Sequence, residues 1–253
     1  MTNKLKYFIG NWKMFGDLGS FKIVAKINRF VNKFHTYNNK FKIILCVPST
    51  LVYFFKFKMK LKRIFIGGQN CHFNQTYGPF TGHVNASMLK KAGAEYVILG
   101  HSENRAEGET NKLIKKKIKS SIDQNLNIIF CIGESLKEKK NGKTFSVLRK
   151  QMRESVEKRF NLKKIIFAYE PVWSIGTNRI PKKEQLEKII EFIKKEYKRN
   201  FKSKYYPRVL YGGSVNNNNI RIFSKISNLD GFLIGGASQS SKKFIDIIKN
   251  YYK

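Results

Sequence analysis

Cysteine is scarce in this chain: Cys46, Cys71 and Cys131 are the whole complement, with no CxxC pair among them. A sparse, odd-numbered set excludes a disulfide framework and points to reduced thiols in a cytoplasmic protein. Cys71-His72 opens no metal motif, because no second ligand pair stands at finger spacing. Apolar stretches are short, and none approaches the roughly 18 residues that a membrane-spanning helix needs. The segment Met1-Thr2-Asn3-Lys4-Leu5-Lys6 runs straight into a strand pattern and leaves no room for a signal peptide. No Pro/Gly/Ser-rich linker divides the sequence, so residues 1–253 read as one domain. A chain of that length buries roughly three quarters of its unfolded surface.

Acidic residues are scarce too. There are 17 against 50 lysines and arginines, a formal charge of +33. A surplus of this size fits a surface for nucleic acid or membrane. The plainer reading is compositional: Lys far outnumbers Arg and is accompanied by abundant Asn, Ile and Phe, the set that A/T-rich codons supply. On that reading the chain has no dedicated nucleic-acid or membrane partner.

What is present is a regular alternation. Apolar runs at Tyr7–Gly10, Ile43–Val47, Ile64–Gly67, Tyr96–Gly100, Ile128–Ile132, Ile165–Tyr169, Val209–Tyr211 and Phe232–Ile234 read as buried parallel strands. Helical periodicity lies between them, as in Leu186, Ile189, Ile190 and Ile193. Eight such units in about 250 residues is the size of a (β/α)8 barrel. A doubly wound open sheet is the alternative, but Gly10-Asn11-Trp12-Lys13 is not the GxGxxG that would follow its first strand. One stretch resists the pattern: Phe55 to Lys62 alternates apolar and basic residues. Leu51, Phe55 and Met59 nevertheless form a helical stripe after Pro48-Ser49, so a helix followed by a solvated loop is expected there.

In a parallel barrel, ligands meet the C-terminal ends of the strands. Asn11, Lys13, His101 and Glu170 all stand at or just past such ends. Taken singly, each has an ordinary explanation as a solvated turn residue, a turn filler or a surface carboxylate. Barrel closure would bring all four to one mouth. Glu170 follows the run Ile165–Tyr169 and precedes Pro171, the arrangement of a base beneath a movable lid. Gly212-Gly213 and Gly235-Gly236 follow the seventh and eighth runs, where backbone N–H groups approach a phosphate closely.

The motifs Gly10-Asn11-Trp12-Lys13, Gly100-His101-Ser102-Glu103, Cys131-Ile132-Gly133-Glu134, Tyr169-Glu170-Pro171-Val172-Trp173, Ile175-Gly176-Thr177, Tyr211-Gly212-Gly213-Ser214-Val215 and Asp230–Ser238 resemble, in order and spacing, those of the triosephosphate isomerase family. The resemblance implies interconversion of dihydroxyacetone phosphate and D-glyceraldehyde 3-phosphate, in glycolysis and gluconeogenesis, with no cofactor and no metal. It implies that Glu170 is the base and that His101 polarises the carbonyl as a neutral imidazole, a tuning for which this family is itself the standard example. Lys13 and Asn11 would stabilise the enediolate. Backbone N–H groups at Gly176, Ser214, Gly235 and Gly236 would hold the phosphate, under a lid of residues 171 to 181. Glu103 would orient Lys13, while Tyr169 and Glu134 would contact Trp173 in different lid positions.

The resemblance further implies a homodimer in which Thr81, within Gly78–Gly82, approaches the partner's Asn11 and Lys13. The chain departs from the family in several places. His83 and Asn104 stand where many members carry a Glu and an Arg that pair between subunits, and Asn178-Arg179-Ile180-Pro181 replaces a more usual lid sequence. Pro181 has no N–H, so the hydroxyl of Tyr211 is expected to lose the hinge partner it has in the family, whereas Ser214 should still reach the lid near Asn178. Another phosphate-binding barrel, such as a pentulose-phosphate epimerase or an indole-pathway enzyme, would lack the Asn-x-Lys opening. A basic binding protein on a retired isomerase scaffold would have lost Lys13, His101 or Glu170.

Overall fold

Tyr7 lies opposite Lys42 of one neighbouring strand and Gly231 of the other, and this double pairing of the first strand shuts the sheet on itself. In the computed structural model, which describes residues 5–33, 40–59, 61 and 63–253, eight parallel strands follow in sequence order around a closed barrel. They are β1 (Lys6–Asn11), β2 (Phe41–Cys46), β3 (Ile64–Gly68), β4 (Tyr96–Leu99), β5 (Asn127–Ile132), β6 (Ile165–Tyr169), β7 (Arg208–Tyr211) and β8 (Gly231–Ile234). All eight expected runs are strands. The helices among the described residues are α1 (Phe21–Lys33), α2 (Ser49–Tyr53), α3 (Ala86–Lys91), α4 (Ser102–Ala106), α5 (Asn111–Asp123), α6 (Leu136–Lys140), α7 (Thr144–Ser155), α8 (Lys183–Phe201), α9 (Ile220–Ser224) and α10 (Ser241–Tyr251). None of them is long and apolar enough to cross a membrane.

The strands read as unbroken apolar runs because both faces are buried. Alternate side chains separate into two cores. Tyr7, Ile9, Ile44, Ile98, Ile129, Ile166 and Leu233 fill the barrel interior. Phe8, Leu45, Val97, Phe130, Phe167 and Phe232 pack outward against the helices. The stripe Leu186, Ile189, Ile190 and Ile193 is the buried face of α8. The ambiguous basic-aromatic stretch is helical as far as Lys58, where α2 continues into a π-helical turn over Phe54–Lys58; Met59 is a bend and Leu61, outside any helix, packs against the core. Leu51 and Phe55 are buried and Met59 packs against the core, so burial of this stripe overrides the period-two pattern. Lys60 and Lys62 lie outside the described residues.

Two features fix the ends of the strands. Gly231 has φ +153, and a Cβ there would stand 2.1 Å from the Tyr7 carbonyl oxygen, so the closing seam requires glycine. Lys194 of α8 reaches beneath β7 and β8 to Asp230 (2.6 Å), whose same oxygen accepts from Val209 N–H (2.9 Å).

Candidate active site

At the C-terminal mouth of the barrel, Asn11, His101 and Glu170 are 5%, 4% and 3% exposed. Polar groups this deep are costly unless paired, so their partners define the site. Lys13 holds φ +56, a conformation uncommon for a residue with a side chain. Three contacts maintain it: its N–H donates to Asn11 Oδ1 (3.1 Å), its carbonyl accepts from Gln69 Nε2 (2.9 Å), and the preceding Trp12 carbonyl accepts from Gln239 Nε2 (2.8 Å). Trp12 itself is fully buried, edge-on to Phe55. The Lys13 ammonium therefore emerges from a fixed backbone and meets Glu103 at 2.5 Å.

His101 follows β4 through Gly100 (φ +70) and caps α4. Its Nδ1 accepts from Glu103 N–H (3.2 Å) and so carries no proton. The single ring proton is then on Nε2, which faces Glu170 Oε1 at 3.4 Å.

Glu170 is set at the end of β6 by two glycines. A Cβ at Gly133 would overlap the Glu170 carbonyl (1.8 Å), and one at Gly212 would lie 2.6 Å from its Cγ. Burial pushes its carboxyl pKa up, opposed by His101, by the adjacent Cys131 thiol and by Lys13. Its Oε2 is buried and has no hydrogen-bond partner among the described residues. A buried carboxylate oxygen that no protein group pairs is free to accept a proton.

Behind the lid, Glu134 is buried and accepts from Tyr169 Oη (3.1 Å) and Trp173 Nε1 (2.9 Å). Burial raises the Glu134 pKa, while Trp173, its own backbone and Tyr169 counter it. Lys139 of α6 places its ammonium 3.3 Å from the Trp173 ring centroid. In segment 171–181, Trp173 thus bonds to Glu134. The segment is also held at its tip, where Asn178 N–H donates to Ser214 Oγ (3.2 Å) and Ser214 Oγ donates to the Ser174 carbonyl (2.6 Å). Tyr211 has a partner after all: its hydroxyl lies 2.9 Å from Ser174 Oγ.

Asn11, Lys13, His101, Glu170, Gly176, Ser214, Gly235 and Gly236 all line one cavity of about 270 Å³. Thr81 is not among them; it lies in an exposed stretch, residues 75–83. Gln69 and Gln239, which clamp the Trp12–Lys13 backbone, and Ser174 escaped the sequence reading. Gln239 follows the Gly235–Ser238 motif directly and Ser174 lies inside the lid, so position was their one available signal.

A buried carboxylate, an imidazole, an ammonium and two glycine pairs around a small cavity at the mouth of a (β/α)8 barrel define a class: a barrel enzyme with a site for a small anionic substrate. The triosephosphate isomerase family model matches residues 6–251. The triosephosphate isomerase of Bartonella bacilliformis is 37% identical over 256 residues, with both chains fully covered, and that of Dictyoglomus thermophilum is 38% identical over 253 residues, covering 97% of this chain and 99% of the relative. The solved triosephosphate isomerase of Bartonella henselae matches with a TM-score of 0.88 at 34% identity, covering 98% of this chain and 99% of that one. The chain belongs to the triosephosphate isomerase family and is an isomerase of dihydroxyacetone phosphate and D-glyceraldehyde 3-phosphate.

Proposed function

We propose that Glu170, His101, Lys13 and Asn11 carry this reaction through an enediolate. Glu170 takes a proton from the carbon beside the carbonyl and returns it to the neighbouring carbon. His101 Nε2–H and the Lys13 ammonium face the oxygen on which negative charge develops, and Asn11 adds a hydrogen bond. Preorganised donors of this kind usually supply the largest share of catalysis. The phosphate is held by N–H groups of Gly176, Ser214, Gly235 and Gly236. That of Ser214 makes only a long 3.4 Å contact with Ser174 Oγ, which a phosphate oxygen readily replaces.

The observation that carries this reading is the buried, unpaired Oε2 of Glu170 in the same cavity as His101 and Lys13. The test is a coupled assay of the purified chain with glyceraldehyde 3-phosphate. Turnover in the wild type and its loss in Glu170→Gln and Lys13→Met are expected; turnover that persists in both variants overturns the assignment.

Residues 1–253 form one catalytic domain that acts as a homodimer in the cytoplasm. The dimer is supported by apolar surface that a second copy would bury: Met14 is fully exposed, and Tyr77 and Phe80 stand out from the loop that carries Thr81. His83, where many members carry the Glu of a charged pair between subunits, lies 4.9 Å from His72 by ring centroid. Sedimentation at micromolar concentration tests the assembly, and a single monomeric species refutes it. Buried thiols at Cys46, Cys71 and Cys131 suit a reducing compartment.

A further inference from the structure

Ser174 is completely buried at the start of the lid, and its hydroxyl is a junction. It donates to the Arg179 carbonyl on the far side of the lid, lies 2.9 Å from Tyr211 Oη, and faces Ser214 N–H at 3.4 Å. A hydroxyl has one proton, and here it is committed to Arg179. Tyr211 is therefore the donor in its pair with Ser174. Burial pushes the Tyr211 phenol well above its usual pKa, so that proton is present throughout the working pH range. Two residues beyond Arg179 in the chain is Pro181, whose nitrogen has no hydrogen to offer.

We propose that Ser174 is a positioning residue that latches the lid: its side chain ties the two halves of the lid across their neck and docks them on Tyr211. The inference rests on the catalytic assignment above and extends it to the parts that position the phosphate. The link runs through Gly213. A Cβ at that position would stand 2.2 Å from Tyr211 Oη and 2.6 Å from Ser174 Oγ, so the backbone of the phosphate loop rests directly on the pair. Moving either hydroxyl shifts Gly213 and the Ser214 N–H beside it. The latch also accounts for the tolerance of proline at 181, because the hydroxyl of Ser174 gives Tyr211 a partner that no N–H at that position provides.

The two halves of the pair are unequal. Tyr211→Phe removes one donor and leaves Ser174 bonded to Arg179. Ser174→Ala leaves the buried Tyr211 hydroxyl without a partner whenever the lid is down and unties the Arg179 carbonyl from the neck. The first loss is expected to lower kcat/KM less than about fivefold and the second by about tenfold or more, the usual difference between a lost hydrogen bond and a stranded buried group. In the double variant no phenol remains to be stranded, so its loss should not exceed that of Ser174→Ala alone.

The experiment is steady-state kinetics on wild type, Ser174→Ala, Tyr211→Phe and the double variant, with inorganic phosphate release measured alongside. A poorly latched lid lets the enediolate expel phosphate: the C–O bond breaks with its electrons on the leaving phosphate, the enediolate electrons form the new double bond, and the product tautomerises to methylglyoxal. Ser174→Ala should raise phosphate released per isomerisation severalfold, a readout that simple loss of folded protein leaves unchanged. A Ser174→Ala enzyme within twofold of wild type in both measures overturns the latch. So do single-variant losses that multiply in the double variant. If Ser174→Ala does not fold, a Tyr211→Phe loss of a hundredfold or an unchanged phosphate ratio in that variant overturns it as well. A wild type without isomerase activity would instead sink the catalytic assignment, so the two failures are distinct.

Discussion

Glu170→Gln separates the chemistry of the site from its architecture. Glutamine has nearly the shape of glutamate, keeps an oxygen to face His101 Nε2 and places an amide where Oε2 has no partner. It cannot take a proton. Loss of a general base lowers rate by roughly 10²–10⁴, about 3–5 kcal/mol at 1.36 kcal/mol per decade. Stability should move the other way. The carboxyl pKa of folded Glu170 is raised, chiefly by burial, so the folded state binds more protons than the unfolded state between the two pKa values. Ionised Glu170 therefore weakens the fold at pH 7–8, and this cost disappears as pH falls toward about 4, where the group is protonated in both states. Glu170→Gln should thus melt at or above the wild-type temperature near neutral pH, with the gap narrowing in acid. The assays are coupled turnover and paired melts at two pH values. A variant that keeps more than half of wild-type turnover refutes the base. A stability loss of equal size at both pH values refutes the account of burial.

Wild-type kcat/KM should fall on the acid side at a pH above the ordinary carboxylate range, because Glu170 must be ionised to act and its pKa is raised; a limb near pH 4 would contradict this. The substrate is an anion and the chain carries +33, so kcat/KM should also decline between about 10 and 200 mM salt while kcat holds, and a flat response rules out steering. Asp230→Ala strands buried Lys194 and Val209 N–H, so it should destabilise by about 3–5 kcal/mol in chemical denaturation, whereas replacing Lys194 and Asp230 together with apolar residues should be much milder. Ser214→Ala removes the bond to the lid at Asn178 and should lower kcat/KM more than Tyr211→Phe; the reverse order would be evidence against a Ser214 tether.

The barrel was legible because parallel strands buried on both faces leave continuous apolar runs, and the buried stripe of α8 leaves a repeat of three and four. Asn11, Lys13, His101 and Glu170 were legible because each is a polar residue at the end of such a run. Phe55 to Lys62 was ambiguous because lysines alternate there with apolar residues, and the burial of Phe55 decided for helix as far as Lys58. Gln69 and Gln239 were not legible. Their amides act on backbone carbonyls far away in sequence, and no periodicity reports that. The partner of Tyr211 was hidden for a similar reason. The missing N–H of Pro181 could be read, but the hydroxyl that takes its place became visible only where Ser174 folds back on Arg179.

The seam between β1 and β8 has a consequence for synthesis. The first strand leaves the ribosome early but gains its second neighbour only when Gly231–Ile234 has been made, nearly the whole chain later. Until then an unfinished sheet presents two raw edges, each able to pair with another nascent chain. Mutual repulsion between polypeptides that carry so many lysines would hold such half-made barrels apart. The same surplus of charge, whatever its origin in codon usage, would then serve the protein before it has an active site at all.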